Sequence, residues 1–170
     1  MASIKDIAVY LCQRSQYPDD LSYARITKMI YLADWESAQQ KGKQMTNIKW
    51  LYNHYGPYVP DVIETIYNDK ECFKVTETQN AFGAPKRIVS LKNTKYQPKL
   101  TEDKGDEKGE RTILDDIIEE CDKLSWYQFI DKVYSTYPIR EKKRYEYLNL
   151  KELAQQKDKK WLGLFRLNTH

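Results

Sequence analysis

The sequence predicts a mainly α-helical protein of the α+β class, a compact helical domain with one β-hairpin inserted between its N-terminal and C-terminal helices. Three observations predict this fold. Apolar residues recur at helical spacing through most of the 170 residues. The pattern changes to strand-like alternation only in residues 72–92. The length fits one domain with a short extension and is enough to bury a core.

The first two helices are predicted from their caps and their apolar residues. Ser3 can cap a first helix, whose apolar stripe consists of Ile4, Ile7, Ala8, Leu11 and Cys12. Ser22 can cap a second helix that runs to about Gln40, with Gly42 as its stop. The second helix is apolar around much of its girth, so we expect it to lie at the centre of the fold.

A stiff aromatic corner, WLYNHYGPYVPD, follows at residues 50–61. A short helix that begins near Thr46 is expected before it, carrying Ile48, Leu51 and Tyr52. Gly56-Pro57 is expected to end that helix, because the residue before a proline avoids the helical region. Pro60 suits the first turn of the next helix. The glycine and both prolines are therefore interpreted as structural.

The middle of the chain is predicted to form a hairpin and a linker. Residues 72–92 are typical of two strands with a long tip, which exposes Phe82. Residues 93–110 are polar and contain proline and glycine, so they are interpreted as a linker.

Two helices and a basic segment are predicted to follow. An amphipathic helix is expected at residues 112–124, and Ser125 with Gln128 forms a capping box for another. We expect one domain over residues 1–137 and a basic C-terminal extension over residues 138–170. The extension is expected to contain one short helix near residues 150–156.

Charge and cysteine content argue against several classes of protein. The net charge is +3, from 28 basic and 25 acidic residues, which is too small to indicate nucleic-acid binding by itself. Cys12, Cys72 and Cys121 form no CxxC pair, so neither a disulfide framework nor a zinc module is expected. Each is interpreted as a buried thiol. The pattern shows no signal peptide and no apolar run long enough to span a membrane, which indicates a cytoplasmic protein.

No catalytic set can be assembled from the sequence. The histidines are His54 and His170, and no nucleophile motif accompanies them. His54 is interpreted as a polar turn residue, with a base in a hydrolase as the alternative. Acidic residues at helical spacing are interpreted as a solvated helix face rather than a metal site; they are Asp115, Asp116, Glu119 and Glu120. No phosphate-binding loop occurs, so we expect no enzyme, no metal and no cofactor.

Basic residues and aromatics are interleaved near the C-terminus. REKKR at residues 140–144 precedes Tyr145 and Tyr147, and KDKK at 157–160 precedes Trp161. Single-stranded nucleic acid can use this combination, with phosphates on the cations and bases on the rings. A solvated tail is the preferred interpretation of this run of charges. A helical domain whose hairpin carries Lys86 and Arg87 could also act as a winged helix, although the weak net charge counts against it.

Part of the sequence resembles a known family. The helix residues Lys28 to Asp34, KMIYLAD, are followed by Trp50 and then by Tyr55-Gly56-Pro57-Tyr58 with Pro60. This order of motifs resembles the Panacea domain, the SocA-like antitoxin domain that is also met in phage-associated proteins. One position departs from the pattern, because Tyr58 stands where the family often has a small aliphatic residue.

The resemblance implies a partner-binding protein without catalytic activity. Such domains bind and neutralise toxins of many unrelated kinds, and at least one relative delivers its toxin to a ClpXP-type protease. Aromatic residues are common interface anchors, so the candidate contact residues are Trp35, Trp50, Tyr52, Tyr55, Tyr58 and Phe82. Core packing remains the alternative for Trp35 and Trp50. A nucleic-acid-associated regulator that uses the basic C-terminal segment is the alternative function.

Overall fold

Seven α-helices and two antiparallel β-hairpins form the fold of the computed structural model, which describes residues 1–168. The elements in chain order are α1 (Ile4–Arg14), α2 (Tyr23–Lys41), β1 (Leu51–Asn53), β2 (Gly56–Tyr58), α3 (Asp61–Asn68), β3 (Phe73–Gln79), β4 (Pro85–Leu91), α4 (Glu110–Asp122), α5 (Trp126–Tyr134), α6 (Tyr137–Glu141) and α7 (Leu150–Asn168). The predicted class, mainly helical α+β, is confirmed.

Helix α2 lies at the centre, in contact with α1, α3, α4 and α7. The predicted cap is confirmed, since the Ser22 hydroxyl accepts a hydrogen bond of 3.1 Å from the Arg25 N–H. Gly42 ends the helix with φ +70°, a conformation that glycine adopts without a steric penalty. The helix is buried on nearly all sides because its apolar residues surround most of its axis.

The buried guanidinium of Arg25 joins α2 to the turn between α4 and α5. It donates hydrogen bonds to the carbonyls of Cys121 at 2.7 Å and Leu124 at 3.2 Å. Its Cζ also lies 4.6 Å from the centroid of the Phe129 ring. The cation therefore ties carbonyls at the end of α4 and in the following turn to α2.

The predicted short helix before the aromatic corner is wrong. Residues 47–50 lie in neither a helix nor a strand. Strands β1 and β2 pair in register Leu51↔Tyr58, and a two-residue turn joins them. Gly56 closes that turn with φ +98°. The backbone at Trp50 and Tyr52 bonds to residues 146–148. These hydrogen bonds to a segment nearly 100 residues away favour the strand over the helix that the local apolar spacing predicts. The local spacing gives no indication of that distant segment.

The predicted hairpin is confirmed as β3 and β4, in register from Phe73↔Leu91 to Gln79↔Pro85. Its loop is residues 80–84, which is shorter than a seven-residue tip QNAFGAP, residues 79–85, because Gln79 and Pro85 pair as the last residues of the strands. The Asn80 side chain organises the loop by accepting hydrogen bonds of 2.9 Å from the backbone N–H groups of Phe82 and Ala84.

The predicted linker packs along the fold. The Tyr96 hydroxyl donates a hydrogen bond of 2.8 Å to Asp6 in α1, and Tyr96 and Leu100 contact the core. Gly109 lies so close to Glu102 that a Cβ atom would approach its carbonyl carbon to 2.3 Å. The segment between the hairpin and α4 is thus bonded to α1 near its beginning, and near its end Gly109 packs against Glu102 of the same segment.

The C-terminal helix is longer than predicted. The capping box of Ser125 and Gln128 at α5 is confirmed. Helix α7 begins as expected but runs to Asn168, and its first turns bury Leu150 and Leu153 against the core. The division of the chain at residue 137 stays a prediction, and the first part of the basic segment shares the core with the rest.

Candidate interaction site

A buried carboxylate fixes the chain that leads into the aromatic corner. Asp34 in α2 is fully buried and accepts hydrogen bonds from the Thr46 N–H at 2.9 Å, from the Thr46 hydroxyl, and from the Trp50 indole at 2.8 Å. Burial raises the pKa of Asp34, and these hydrogen bonds act in the opposite direction. The donors hold residues 46–50 against α2.

Residues 145–148 run beside β1 as a third, strand-like segment of the same small sheet. The Leu148 N–H donates to the Trp50 carbonyl at 2.8 Å, and the Tyr52 N–H donates to the Glu146 carbonyl at 2.9 Å. Side chains alternate between the two faces of a strand, so one face of this small sheet is buried and the other is open.

The buried face holds three of the predicted contact residues in or beside it. Trp35, Trp50 and Tyr52 are exposed by only 5%, 0% and 8%. The Trp50 ring lies edge-on to Tyr31 at 5.5 Å between centroids, and Tyr52 lies edge-on to Tyr134 at 6.3 Å. The structure places these three side chains in the core, where they offer almost no surface to a partner; Trp50 and Tyr52 anchor the corner, and Trp35 stacks on Tyr137.

Tyr58 and Tyr147 lie on the open face, and together with Tyr55 in the turn and Tyr145 in the adjoining segment we call them the tyrosine patch. Leu51 pairs with Tyr58 on one side and with Tyr147 on the other. Tyr55, Tyr145 and Tyr147 are exposed by 76%, 66% and 68%, and Tyr58 is half-buried. The structure thus brings two predicted candidates together with two tyrosines from the basic segment.

A shallow cleft of about 460 Å³ lies on this face. Its apolar surface comes from Leu51, Tyr58, Val59, Pro60 and Tyr147, and its polar surface from Asn47, Lys49, Asn53 and Asp61. Apolar side chains beside amide groups suit a protein surface, because the amides can bond to the partner's backbone or side chains.

Positive charge lies at the edge of the patch. Arg144 Nε donates a hydrogen bond of 3.3 Å to the His54 carbonyl, and its guanidinium lies 5.8 Å from the Tyr52 ring centroid. Lys49 lines the cleft, and Lys143 is exposed beside Arg144. Asp61 also lines the cleft and Glu146 is exposed between Tyr145 and Tyr147, so the rim carries charges of both signs.

Tyr145 adopts a left-handed backbone conformation with φ +73°, which no other non-glycine residue of the described chain shares. This region costs a bulky residue about 1–2 kcal/mol. The hydrogen bond from the Tyr145 N–H to the Tyr52 carbonyl holds the backbone in place. The exposed Tyr145 ring therefore projects from a backbone whose conformation is fixed.

The remaining predicted candidates lie apart from the patch or have structural partners. Phe82 is 82% exposed at the tip of the other hairpin. His54 is exposed in the turn, with its ring edge against Tyr55 at 4.6 Å between centroids. In the acidic face of α4, Asp115 accepts from Tyr10 and Asp116 from Lys108.

Sequence reasoning assigned Tyr145 and Tyr147 to a basic tail and missed their place beside the corner. The alternation of aromatic and polar residues through Tyr145, Glu146 and Tyr147 is a signal that could have indicated a strand. Within residues 1–168, the structure contains no cluster of three or more potential metal ligands and no helix apolar enough to cross a membrane.

Comparison with protein families gives a match over most of the molecule. The family described as "Antitoxin SocA-like, Panacea domain" matches residues 26–138, which are 113 of the 170 residues. The matched part runs from α2 through the corner and β3–β4 to α6. No curated protein and no solved structure matches the chain.

Proposed function

Because the chain belongs to the family of SocA-like antitoxins with a Panacea domain, we propose that it is a cytoplasmic antitoxin that neutralises a cognate toxin by direct binding. Binding, and not catalysis, is its role in this proposal. The observation that supports a particular binding site is the tyrosine patch. It lies on the hydrogen-bonded strands β1 and β2 and on residues 145–148, which are partly inside and partly beside the residues that match the family.

The patch has the properties of a binding surface. Tyrosine and arginine are enriched among residues that dominate binding energy; Tyr58 and Tyr147 line the cleft, and Arg144 bonds to the turn that carries Tyr55. Two sets of hydrogen bonds hold the strands that carry the patch: the Trp50 indole bonds to Asp34, and the backbone of β1 bonds to residues 145–148. A rigid frame lowers the entropy lost when side chains become ordered on binding.

Co-expression with the product of the adjacent gene tests the proposal. The wild-type chain is expected to rescue growth from a toxic neighbour and to co-purify with it. Tyr58→Ala with Tyr147→Ala is expected to weaken binding at least tenfold, about 1.4 kcal/mol, because both side chains line the cleft.

Tyr127 gives a matched control for this experiment. It is 67% exposed on α5, close to the exposure of Tyr147, and does not line the cleft. Tyr127→Ala should leave binding within about twofold of wild type. If Tyr127→Ala weakens binding as much as the patch variant, or if no neighbouring gene product binds, the proposal fails.

Delivery to a ClpXP-type protease is the second mechanism by which such an antitoxin could act. The toxin's half-life in cells with and without the protease separates the two. An antitoxin that only holds its toxin leaves that half-life unchanged, whereas an adaptor shortens it when the protease is present.

Nucleic-acid binding is the alternative function, supported by Arg144, Lys143 and Lys49 beside Tyr145 and Tyr147. Rings and cations on one surface suit a single strand. Fluorescence anisotropy with a labelled oligonucleotide at rising salt would test it. Affinity that falls steeply with salt, and is lost in Arg144→Ala, would favour this function over the antitoxin.

A further inference from the structure

The two edges of the long hairpin β3–β4 differ in what they contact. On the outer edge of β4, the Val89 N–H donates a hydrogen bond of 2.8 Å to the Leu21 carbonyl. Ser22 forms an isolated bridge with Ile88 beside it. On the outer edge of β3, the backbone of residues 75–79 has no hydrogen-bond partner within residues 1–168 other than β4. The hairpin therefore keeps one strand edge open.

The register of the hairpin shows which backbone groups of β3 point outward. In an antiparallel ladder, pairs that exchange hydrogen bonds alternate with pairs whose N–H and C=O groups point away from each other. Val89 points its N–H outward to Leu21, so its partner Val75 points its own groups outward on the opposite edge. By the same alternation, Glu77 and Gln79 also present outward groups, roughly 7 Å apart along the strand.

The open edge lacks the backbone features that usually block an edge strand. A proline, a bulge or a very short strand commonly prevents another strand from pairing. Strand β3 has seven residues, contains no proline and pairs with β4 in one continuous register. Strand β2 differs, because it has three residues with Pro57 at its centre. The β3 edge is thus long enough to pair, and its charged residues Lys74 and Glu77 restrict which strand fits.

We propose that β3 pairs with β3 of a second copy of this chain, in antiparallel orientation, with the two-fold axis at Thr76. The two hairpins then form one sheet of four strands. Outward N–H and C=O groups at strand spacing match those of another strand, which is how sheets are extended by a partner. The inference goes beyond the proposed antitoxin function and does not depend on it.

The position of the axis follows from the outward groups and the charges. An axis at Thr76 pairs Val75 with Glu77 twice and brings the Gln79 N–H to the Phe73 carbonyl twice, about six hydrogen bonds in all. An axis at Glu77 gives as many bonds but places two glutamates opposite each other, which is destabilising. An axis at any other residue of β3 forms fewer bonds. The sequence of the edge is therefore complementary to itself in one register.

The exposed side chains suit this register. Thr76 lies opposite Thr76 of the other copy, and threonine pairs of this kind favour a sheet. Lys74 lies opposite Thr78, so no like charges are directly opposed. Glu77 also has its own counter-ion, since Arg87 Nε lies 3.3 Å from its carboxylate. This pair offsets the repulsion between the two glutamates, which lie diagonally across the axis.

Sedimentation velocity of the full-length protein measures the pairing. One strand from each copy makes a small interface, so we expect a weak dimer that forms between about 5 and 500 μM. Glu77→Pro removes an outward N–H that does not bond to β4, so it should abolish the dimer and keep the hairpin. Arg87→Pro is the matched control, because it lies opposite Glu77, removes the same ion pair and alters the other edge. Its dimerisation should stay within about twofold of wild type.

Charge exchange at Thr76 tests the axis without changing the backbone. Thr76→Lys alone, or Thr76→Glu alone, places like charges opposite each other and should weaken dimerisation at least about threefold. An equimolar mixture of the two variants should restore it, because opposite charges then meet at the axis. Thr78→Glu should strengthen dimerisation by up to about threefold, since Lys74 of the other copy lies opposite. Far-UV circular dichroism checks that every variant keeps the fold.

The outcomes decide between a second copy and other occupants of the edge. Wild-type protein that stays monomeric throughout the range overturns the inference. A dimer that persists in Glu77→Pro, or that neither Thr76 variant weakens, also overturns it, because another surface then forms the dimer. If the wild type is monomeric and its toxin affinity falls in Glu77→Pro but not in Arg87→Pro, the edge belongs to a strand of the toxin. The dimer is measured without toxin, so failure of the antitoxin proposal does not affect this result.

Discussion

The indole of Trp50 donates a hydrogen bond of 2.8 Å to the carboxylate of Asp34, and both side chains are fully buried. This bond joins the central helix to the strand that carries the tyrosine patch. An aromatic side chain with a polar nitrogen suits the position, because the ring packs against Tyr31 while the nitrogen reaches the carboxylate.

Removal of the Asp34 carboxylate should destabilise the whole corner. Asp34→Ala leaves the donors of Thr46 and Trp50 buried without an acceptor, so we expect a loss of about 3–5 kcal/mol in the free energy of unfolding. Urea denaturation followed by tryptophan fluorescence measures it. Asp106→Ala, at an exposed position, is the control and should change stability by less than about 0.5 kcal/mol. A loss below 1 kcal/mol for Asp34→Ala would mean that water replaces the carboxylate.

Substitution of the buried Lys28 should stabilise the protein. Lys28 is 5% exposed, no carboxylate of the described chain lies within ion-pair distance, and burial lowers the pKa of its ammonium. Lys28→Met removes the cost of burying that charge, so its urea midpoint at pH 7 should exceed that of wild type.

The same lysine predicts a pH dependence with a definite sign. Below the pKa of 10.5 that an unperturbed lysine has, the folded state binds fewer protons at Lys28 than the unfolded state does. Wild-type stability should therefore rise with pH as 10.5 is approached from below, and the advantage of Lys28→Met should shrink there. Lys99→Met, at an exposed lysine, should show neither effect. An advantage of Lys28→Met that is constant with pH would contradict this explanation.

The strained backbone of Tyr145 predicts a difference between two truncations. Both Tyr145→Ala and Tyr145→Gly remove the ring, but only glycine adopts φ +73° without a penalty. We expect the glycine variant to be more stable than the alanine variant by about 1 kcal/mol, measured by thermal unfolding. Both should weaken toxin binding equally. Greater stability of the alanine variant would show that this conformation is not strained in solution.

Gly56 combines a positive φ with a close neighbour, so its substitution should cost more than either feature alone. A Cβ at Gly56 would lie 3.3 Å from Tyr134, and φ is +98°. Gly83 also has a positive φ, +79°, but has open space around it. Gly83→Ala should lose about 1 kcal/mol by urea denaturation, and Gly56→Ala about 2–3 kcal/mol. Equal losses would mean that the Tyr134 ring moves aside freely.

Local patterns predicted the elements that depend on neighbours in the sequence. The caps at Ser3, Ser22 and Ser125 and the long hairpin each follow from residues a few positions apart, and the structure contains all of them. The aromatic corner depends instead on hydrogen bonds between Trp50 and Leu148, which no local pattern encodes. The same reason explains the candidate site, since its exposed tyrosines come from two distant segments.

The structure separates the predicted contact residues into buried and accessible ones, and residue type alone does not make this distinction. Trp50 and Tyr58 are both aromatic and lie in the same corner, yet they face opposite sides of one small sheet. Alternation of apolar and polar residues in the sequence indicates which residues lie on each face of a strand. Strands β1 and β2 have three residues each, which is too few to show such alternation.

The origin of the tyrosine patch in two segments has a consequence for how such proteins diversify. Tyr55 and Tyr58 lie inside the residues that match the family, whereas Tyr145 and Tyr147 lie outside them. Half of the patch thus lies in the residues that match the family, and the other half lies in a segment, residues 144–148, in which only Leu148 is buried in the core. Under the proposed function, a change of toxin requires new side chains on residues 144–147 and not a new fold, and grafting that short segment between relatives is expected to exchange their partners.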